Sequence, residues 1–567
     1  MSLKVALAPS SPVFQAADRP GCKLDQNERS EALPHWLEKA INQIPAQAVW
    51  RYPDRRELEA ALAEKFGLED GMVLVGNGGD EVIQYLIADL PAGTPLIAPL
   101  PTFGFYREQA AIWPVKPVFL PAKDDLTFDL EACRSAIREN PNGVFILIRP
   151  NNPTGEMVSR EEALELLALC REHNTLVLLD EAYAEFADDD LLDQLQANPH
   201  LVILRTFSKA YGLAGLRLGY FLASAELLNR LRKRVMPYNV SGVTLHLGLA
   251  ALQPNAEGEV RTYCERVIEN RRYFEKLLAE WGIRSLPSQA NFITMQLGDA
   301  RAAFVGKVMA AQGFAVRTFN RAPITGCVRF SIPADTCAFK DALMLALKPD
   351  LLCLDVDGTL IDVVESFDTA VTTTVEHYTG QTPDRDEILA LRAAGGYNDD
   401  FQLAAELVRR RGVAVDLEAL KDVFRGIYFG DETRAGANQS ESLLINDDLW
   451  ARWKQRALDG SWSLALVTGR DRKEMAHGLT LLDYPEDQPV YTIDDVAVGK
   501  PDPEGIRAAA ERTGRRRIWM VGDNLDDIRA AHAAGAVAIG VGENREALEA
   551  AGCAVFLDDI NQLETLL

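Results

Sequence analysis

Three apolar runs in the first half of the chain are each followed by residues that can do chemistry. In chain order these are residues 151–155 (Asn-Asn-Pro-Thr-Gly), 180–183 (Asp-Glu-Ala-Tyr) and 206–217 (Thr-Phe-Ser-Lys-Ala-Tyr-Gly-Leu-Ala-Gly-Leu-Arg). A lysine amine such as that of Lys209 can bond covalently to a carbonyl and then move protons, once its surroundings set its pKa. Because the carboxyl ends of neighbouring strands meet at one edge of a sheet, the order of the three groups indicates a single site.

These side chains match the needs of a pyridine aldehyde phosphate, an electron sink that works when its ring nitrogen stays protonated. Asp180 would keep that nitrogen charged, and Lys209 would anchor the aldehyde covalently and act as general base and acid. Asn152 and Tyr183 would hydrogen-bond the phenolic oxygen of the ring, and Phe103 would stack on the ring face. The sequence therefore predicts a pyridoxal 5'-phosphate site.

The phosphate group of that cofactor needs hydrogen-bond donors. Residues 76–81 (Gly-Asn-Gly-Gly-Asp-Glu) lead into an apolar helical pattern at 82–90, which leaves free backbone N–H groups at a helix N-terminus. Ser208 and Arg217 would complete the cradle. The phosphate-binding residues predicted here are Gly78, Gly79, Asp80, Ser208 and Arg217.

From about residue 20 to 347 the chain resembles the fold-type-I aminotransferases, and among them the histidinol-phosphate aminotransferases. Besides the motifs above, the resemblance rests on residues 23–28 (Lys-Leu-Asp-Gln-Asn-Glu), 51–54 (Arg-Tyr-Pro-Asp) and 290–293 (Ala-Asn-Phe-Ile). Two positions depart from the usual pattern, because Gly79 replaces a serine and Phe103 replaces the commoner tyrosine. Related folds include aminotransferases for other amino acids and a threonine-phosphate decarboxylase, so the substrate stays open.

The resemblance implies a homodimer in which Tyr52 reaches the cofactor phosphate of the neighbouring subunit. It implies that Asn27 and Arg329 bind the substrate, with Arg329 on the carboxyl side, and that Arg317 binds a substrate phosphate. The expected substrates of this part are an amino compound and a 2-oxo acid such as 2-oxoglutarate.

A second chemical centre is predicted after the apolar run 351–354, in residues 355–360 (Asp-Val-Asp-Gly-Thr-Leu). Two carboxylates this close repel each other unless a cation lies beside them, and Mg²⁺ is the simple solution. Further polar residues follow later apolar runs in order, namely Thr468 in Val-Thr-Gly-Arg, Lys500 in Gly-Lys-Pro-Asp-Pro, and Asp523 and Asp527 in Gly-Asp-Asn-Leu-Asp-Asp.

These motifs resemble the signature of the haloacid dehalogenase superfamily over residues 350–567. The resemblance and the physics of phosphoryl transfer assign Asp355 as nucleophile and Asp357 as the acid that protonates the leaving alkoxide and then activates water. Thr468 and Lys500 would neutralise phosphate oxygens. Mg²⁺ would bind Asp355, Asp523 and the main-chain carbonyl of Asp357, with Asp527 orienting Lys500 or a metal-bound water. An acid at position 357 favours hydrolysis of a phosphate monoester over dehalogenation.

Short apolar runs alternate with amphipathic stretches from about residue 70 to 230, and the same rhythm restarts at 351, so the sequence predicts two α/β units. The predicted domains are 1–347, of aminotransferase type, and 350–567, Rossmann-like with an inserted helical cap at about 364–455. Within the cap, residues 395–400 (Gly-Gly-Tyr-Asn-Asp-Asp) either contact substrate or form a turn and helix cap.

Composition narrows the class of protein. With 59 Lys and Arg against 83 Asp and Glu, the net charge of −24 repels polyanions, which argues against a nucleic-acid partner. The eight cysteines show no Cys-x-x-Cys pair, the N-terminal residues lack an apolar core of signal-peptide length, and no stretch approaches the apolar length of a membrane helix. A cytoplasmic protein without a membrane partner is therefore expected.

The order of the two predicted activities suggests successive steps of histidine biosynthesis, since a transamination that yields a phosphate monoester would be followed by a phosphatase. Three alternatives stay open. The aminotransferase can serve another amino acid, the phosphatase can be unrelated or broad in specificity, as a phosphoglycolate-type enzyme is, or one domain can be a silent scaffold. The predicted cap supports the second alternative, because the familiar histidinol phosphatase of this superfamily lacks one.

Overall fold

The computed structural model describes residues 21–394 and 400–567. The described chain divides into two compact units, one ending at Lys340 and the other comprising Asp341–Leu567. The division falls inside the helix Thr336–Leu347, so the domain limits 1–347 and 350–567 stay a prediction. The α/β class expected from the alternating pattern is confirmed in both units.

The first unit is built on a seven-stranded sheet whose strands are mostly buried and apolar, except for the partly exposed edge strand Lys116–Leu120. Its order is Val73–Gly76, Gly219–Leu222, Leu201–Thr206, Leu176–Asp180, Val144–Ile148, Pro95–Pro99 and Lys116–Leu120. The last five strands pair in parallel, as the alternation predicts, but Gly219–Leu222 runs antiparallel to both of its neighbours. The chain between Leu201–Thr206 and that strand holds a loop with one 3-10 turn, Ala214–Leu216, and lacks the α-helical crossover that a parallel connection usually needs.

Helices cover this sheet and extend beyond it. They span His35–Asn42, Gln47–Trp50, Arg56–Phe66, Gly79–Ala88, Gly104–Ile112, Leu130–Glu139, Arg160–Glu172, Ala225–Leu231, Gly242–Ala251, Pro254–Glu280 and Asp299–Ala311. A smaller antiparallel sheet joins Arg317–Thr318, Cys327–Ser331 and Phe292–Gln296, and Cys22–Lys23 pairs with Phe314–Ala315. The small sheet brings Arg317 opposite Arg329.

The second unit contains a six-stranded sheet in which every pair is parallel. Its order is Val490–Tyr491, Ser463–Val467, Leu351–Leu354, Ile518–Gly522, Val537–Val541 and Val555–Leu557. Its helices are Asp447–Leu458, Arg472–Leu482, Glu504–Thr513, Leu525–Ala534 and Arg545–Ala550. In open sheets of this kind, the chemistry lies at the carboxyl ends of the strands.

A helical cap interrupts the second unit. Two short antiparallel strands, Ile361–Asp362 and Ser442–Leu443, frame the helices Val364–Thr379, Arg385–Ala394, Asp400–Arg410 and Leu417–Phe429, which share a core of their own. The helix Asp447–Leu458 packs instead on the strand Ser463–Val467, so the cap ends near residue 441 and not near 455 as predicted. The segment predicted to contact substrate or to form a turn and helix cap, 395–400, lies outside the described residues except for Asp400.

Across the described parts of the chain, every helix is either too short or too polar to cross a bilayer.

Two candidate active sites

Lys209 lies at the centre of the first site, in the loop that follows the strand Leu201–Thr206. Its Nζ donates a hydrogen bond to the carbonyl oxygen of Gln26 at 3.1 Å and stands 5.8 Å from the ring centroid of Tyr183. Desolvation, followed by the charge of Arg329, lowers the pKa of Lys209 to about 8. The amine can therefore lose its proton near neutral pH, as a nucleophile or general base must.

Asp180 ends the strand Leu176–Asp180 and is almost fully buried. Its Oδ2 accepts a hydrogen bond from the hydroxyl of Tyr106 at 2.8 Å, and burial raises the pKa of Asp180 to about 6. Tyr106 was not predicted as a site residue, although it follows Phe103 by three positions and their rings meet edge to face at 6.1 Å. A neighbouring cation, such as a protonated pyridine nitrogen, would favour the charged carboxylate again.

Four predicted residues form two hydrogen-bonded pairs that make up one wall of this site. Asn27 Nδ2 donates to the hydroxyl oxygen of Tyr183 at 2.9 Å, and Arg329 Nη1 donates to Asn152 Oδ1. Arg329 is buried, and burial lowers its pKa to about 10. Its Nε has no hydrogen-bond partner among the residues that the structure describes. A buried guanidinium with an unused donor fits an anionic substrate group.

Arg317 lies next to this wall, on the neighbouring strand and opposite Arg329 in the antiparallel register. Arg317 is exposed, and its charge contributes to the lowered pKa of Arg329. Two guanidinium groups at adjacent positions give this rim of the site a local positive charge, despite the negative charge of the whole chain.

The predicted phosphate cradle is compact. The helix Gly79–Ala88 leaves its first N–H groups free, and Arg217 Nη2 donates to Asp80 Oδ2 at 2.8 Å. Gly78 has a φ of 90°, and a Cβ at this position would lie 2.7 Å from Arg217 Nη2. The left-handed φ therefore favours glycine at this position, while the arginine side chain could move away from a Cβ.

Ser208 and Tyr52, which were also predicted to bind the cofactor phosphate, contact residues outside the Gly78–Arg217 cradle. The hydroxyl of Ser208 accepts a hydrogen bond from Thr206 Oγ1 at 2.9 Å, beside Lys209 in the chain. Tyr52 is 82% exposed and stacks on Tyr238, with ring centroids 4.3 Å apart. Within one chain Tyr52 does not join the wall around Lys209. The remaining set of a poised amine, a buried carboxylate, ring hydrogen-bonding groups and a phosphate cradle fits pyridoxal 5'-phosphate.

The second site is a group of buried charges at the carboxyl end of the strand Leu351–Leu354. Lys500 Nζ lies 2.7 Å from Asp355 Oδ1 and 2.6 Å from Asp527 Oδ1. Carboxylate oxygens of Asp355, Asp523 and Asp527 lie within 4.8 Å of one another. Desolvation, followed by the charge of Asp355, raises the pKa of Asp527 to about 7 and that of Asp523 well above its usual range.

One lysine does not balance three carboxylates that are withdrawn from water. A divalent cation among their oxygens would, and hard oxygen ligands are those that Mg²⁺ prefers. Two glycines allow this crowding, because a Cβ at Gly358 would lie 2.2 Å from Asp523 Oδ2 and one at Gly522 would lie 2.2 Å from Asp527 Oδ2. The residues present therefore fit Mg²⁺.

The side chain of Asp357 points to a different partner. Its Oδ1 accepts a hydrogen bond from Arg470 Nε at 2.7 Å, while burial raises the pKa of Asp357 to about 6 against the opposing charge of Arg470. Thr468 is buried beside them, and its Oγ1 accepts a hydrogen bond from the Arg470 N–H at 3.2 Å. The predicted role of Asp357 in metal binding involves only its main-chain carbonyl, which leaves the carboxyl for proton transfer.

Sequence reasoning missed Arg470 and its second partner, Glu441. Arg470 belongs to the quoted Val-Thr-Gly-Arg motif, so its position after Thr468 was an available signal. Glu441 lies outside every motif and is close to the site only because the cap returns to the core there.

Comparison with protein families and known proteins gives two matches along the chain. Residues 21–338 match the family model "Aminotransferase class I and II", and residues 349–535 match "haloacid dehalogenase-like hydrolase". A histidinol-phosphate aminotransferase of Methylibium petroleiphilum is 35% identical over 336 residues, which cover 58% of this chain and 88% of that protein. An aromatic amino acid aminotransferase of Cutibacterium acnes is 34% identical and covers 58% of this chain and 92% of that protein.

A similar solved structure is that of histidinol-phosphate aminotransferase from Sinorhizobium meliloti in complex with pyridoxal-5'-phosphate. It superposes with a TM-score of 0.54 at 28% identity, covering 60% of this chain and 93% of that one. These matches agree with the resemblance found from the motifs.

The lowered pKa of Lys209 predicts a pH dependence for cofactor attachment. When pyridoxal 5'-phosphate is added to cofactor-free protein and the adduct is trapped with borohydride, the rate should rise with pH and level off above about 8, because only the unprotonated amine attacks the aldehyde. Lys209→Ala should form no adduct at this site, while the exposed Lys233→Ala should behave as the unchanged protein. A rate that still climbs steeply near pH 10 would contradict the lowered pKa.

The cluster of Asp355, Asp523 and Asp527 predicts that Mg²⁺ stabilises the second unit against unfolding. At a Mg²⁺ concentration about 100-fold above Kd, linkage gives about 2.7 kcal/mol, seen as a higher unfolding temperature of the second unit. Asp523→Asn should remove most of this gain in unfolding temperature. Asp526→Asn changes a partly exposed carboxylate near Asp523 in the chain and should keep the gain. Since the pKa of Asp527 is raised to about 7, Mg²⁺ affinity should increase as pH rises through that value. Equal gains in both variants would disprove the assigned site.

Proposed function

Since the chain belongs to the aminotransferase class I and II family and also carries a haloacid dehalogenase-like hydrolase domain, we propose that it transaminates histidinol phosphate with 2-oxoglutarate and hydrolyses a phosphate monoester. Pyridoxal 5'-phosphate would serve the first reaction and Mg²⁺ the second. We further propose that the two reactions are successive steps of histidine biosynthesis in the cytoplasm, with histidinol phosphate as the ester that is hydrolysed.

The poised amine of Lys209, next to Tyr183 and Arg329, carries the proposal for the first unit. When bound, the cofactor supplies an electron sink for the substrate carbanion. The chain supplies the rest: Lys209 moves the proton at the substrate carbon, Asp180 holds the ring nitrogen charged, and Asn152 with Tyr183 fixes the ring.

The paired guanidinium groups of Arg329 and Arg317 support a substrate with a phosphate group. A phosphate dianion carries more charge and more acceptor oxygens than the carboxylate of an ordinary amino acid, so it gains more from two arginines. The same pair can bind a carboxylate of 2-oxoglutarate in the other half-reaction. Relatives named histidinol-phosphate aminotransferase support the same choice.

In the second unit, the bracketing of Lys500 by Asp355 and Asp527 supports phosphoryl transfer. Asp355 attacks phosphorus, Lys500 and Thr468 neutralise the phosphate oxygens, and Asp357 gives a proton to the leaving oxygen. The cap between Ile361–Asp362 and Ser442–Leu443 supports a small substrate that is enclosed during the reaction.

A second candidate is an aromatic amino acid aminotransferase joined to a phosphatase of unrelated or broad specificity. The relative from Cutibacterium acnes carries that name at nearly the same identity, and this candidate needs no functional link between the units. It predicts faster transamination of phenylalanine than of histidinol phosphate, and slow release of phosphate from histidinol phosphate.

Paired assays on two variants test the proposal. Asp355→Asn should keep transamination of histidinol phosphate and lose phosphate release, because the nucleophile is gone. Lys209→Ala should keep phosphate release and lose about 10²- to 10⁴-fold or more in transamination, the range that a general base contributes. Phenylalanine and p-nitrophenyl phosphate serve as comparison substrates. Ester hydrolysis that persists in Asp355→Asn rejects the nucleophile, and preference for phenylalanine favours the second candidate.

An exposed apolar patch supports the proposed homodimer. Val49, Trp50, Tyr52, Met236 and Tyr238 are each more than half exposed, and a protein surface rarely leaves such a group in water. In a dimer this patch would be covered, and Tyr52 would reach the partner's cofactor phosphate.

Val49→Asp is therefore expected to shift the protein from dimer to monomer in light scattering and to weaken retention of pyridoxal 5'-phosphate, because a charge in a buried interface is costly. Leu458→Asp introduces the same charge at an exposed leucine of the second unit and should leave the dimer intact. A wild-type protein that is monomeric at all concentrations would contradict the proposal.

A further inference from the structure

Arg470 is a fully buried cation between two carboxylates of the second unit. Its side chain is 1% exposed, and both Nε and Nη2 lie 2.7 Å from the same oxygen, Asp357 Oδ1. Nη2 also donates to Glu441 Oε2 at 3.1 Å. Arg470 therefore joins the proposed acid of the reaction to a residue that touches no part of the metal site.

Glu441 connects this arginine to the cap. It immediately precedes the returning strand Ser442–Leu443, and its side chain is completely buried. Its Oε1 accepts hydrogen bonds from Tyr428, on the last cap helix, at 2.6 Å and from Ser366, on the first cap helix, at 3.1 Å. The two ends of the cap thus meet at one carboxylate, and that carboxylate holds Arg470.

The two oxygens of Asp357 are not equivalent in this arrangement. Oδ1 accepts the hydrogen bond of Arg470 Nε and lies 2.7 Å from Nη2, and a guanidinium has no lone pair with which to accept a proton in return. Oδ2 accepts no hydrogen bond from any residue in the described ranges, and the side chain of Asp357 stays about one-third exposed. A proton on Asp357 must therefore reside on Oδ2.

We propose that Arg470, held by Glu441 at the base of the cap, is a positioning residue that fixes Oδ2 of Asp357 as the oxygen that exchanges the proton. This inference rests on the proposed phosphatase function. It adds a chain of contacts from the cap, through Glu441 and Arg470, to the proposed acid Asp357. In the first step the Asp355 oxygen bonds to phosphorus, the ester P–O bond breaks, and the leaving oxygen takes the proton from Asp357 Oδ2. In the second step water gives a proton back to Oδ2 as it attacks phosphorus, which frees phosphate and Asp355.

If Arg470 served only the stability of the fold, it would not need to contact Asp357. Pairing with Glu441 alone would balance the charge of Arg470, and Asp357 could then point freely to solvent. Instead Nε donates a hydrogen bond to Asp357 Oδ1 and Nη2 lies 2.7 Å from the same oxygen, which restricts the rotation of the carboxyl group as well as balancing its charge.

The dependence of kcat/KM on the leaving group distinguishes a loss of Asp357 positioning from a general disruption of the site. An alkoxide needs the proton of Asp357 to leave, whereas p-nitrophenolate leaves without it. Arg470→Lys keeps the cation beside Glu441 but loses the fork of donors. We expect kcat/KM for histidinol phosphate or glycerol phosphate to fall by about 100-fold, within the range of general acid catalysis, and that for p-nitrophenyl phosphate by less than about fivefold. Using kcat/KM confines the comparison to the first step, in which the leaving group departs.

Two tyrosine variants test the connection to the cap. Tyr428→Phe removes one hydrogen bond to Glu441 without changing charge, and should lower the alkyl-to-aryl ratio of kcat/KM by about threefold to tenfold, as the loss of one charge-assisted bond predicts. Tyr378→Phe, in the same cap core, should leave the ratio unchanged. An equal fall for both esters in Arg470→Lys, or no change in their ratio, overturns the inference.

A crystal structure of Arg470→Lys decides the matter without any assay. Asp357 is expected in a different rotamer, with Asp355 and Lys500 in place. An unmoved Asp357 would reject the positioning role even if the protein hydrolysed no ester. Failure of the phosphatase proposal itself would appear separately, as a wild-type protein that releases no phosphate from any of the three esters with Mg²⁺ present.

Discussion

A charged group that is withdrawn from water must be balanced by its neighbours, and this constraint shapes both sites of the chain. Desolvation, followed by the charge of Arg329, lowers the pKa of Lys209 to about 8, and the opposing charges of Glu28 and Asp80 do not offset this fall. Lys500 lies between Asp355 and Asp527, so its pKa rises. The same residue type is thereby prepared as a proton-transfer group in one unit and as a permanent cation in the other. Burial alone, which acts in the same direction on both, does not explain the difference.

The same constraint acts on the buried carboxylates of both sites, whose pKa values are raised. Burial raises the pKa of Asp180 and, with the charge of Asp355, those of Asp523 and Asp527. Each group is electrostatically incomplete in the protein alone, and each fits a different cation. A pyridinium nitrogen would suit the single carboxylate, and a divalent metal would suit the cluster. The two proposed cofactors therefore differ with the number of carboxylates buried at each site, one at Asp180 and three around Lys500.

The sequence was informative where chemistry lies at strand ends. Asp180, Asp355 and Thr468 each follow an apolar run, and parallel pairing brings such ends together, so their convergence could be predicted. The antiparallel direction of the strand Gly219–Leu222 could not be predicted, because an apolar run does not indicate in which direction the strand will pair. The end of the cap was misplaced because the helix Asp447–Leu458 has the same amphipathic pattern as the cap helices. Glu441 gave no signal at all, since only the return of the cap to the core brings an isolated acid to Arg470.

The net charge of −24 adds a final constraint on both proposed reactions. A dianionic ester that approaches this chain meets a repulsive long-range field, so recognition must come from groups at contact distance. Such groups are Arg329, the free N–H groups at Gly79, Lys500 and the proposed metal site, and most of them are buried or half-buried. Salt screens interactions between exposed charges far more than those inside a pocket. The repulsion and the recognition therefore act through different charges, and a phosphate ester can be bound specifically by a protein whose surface as a whole repels it.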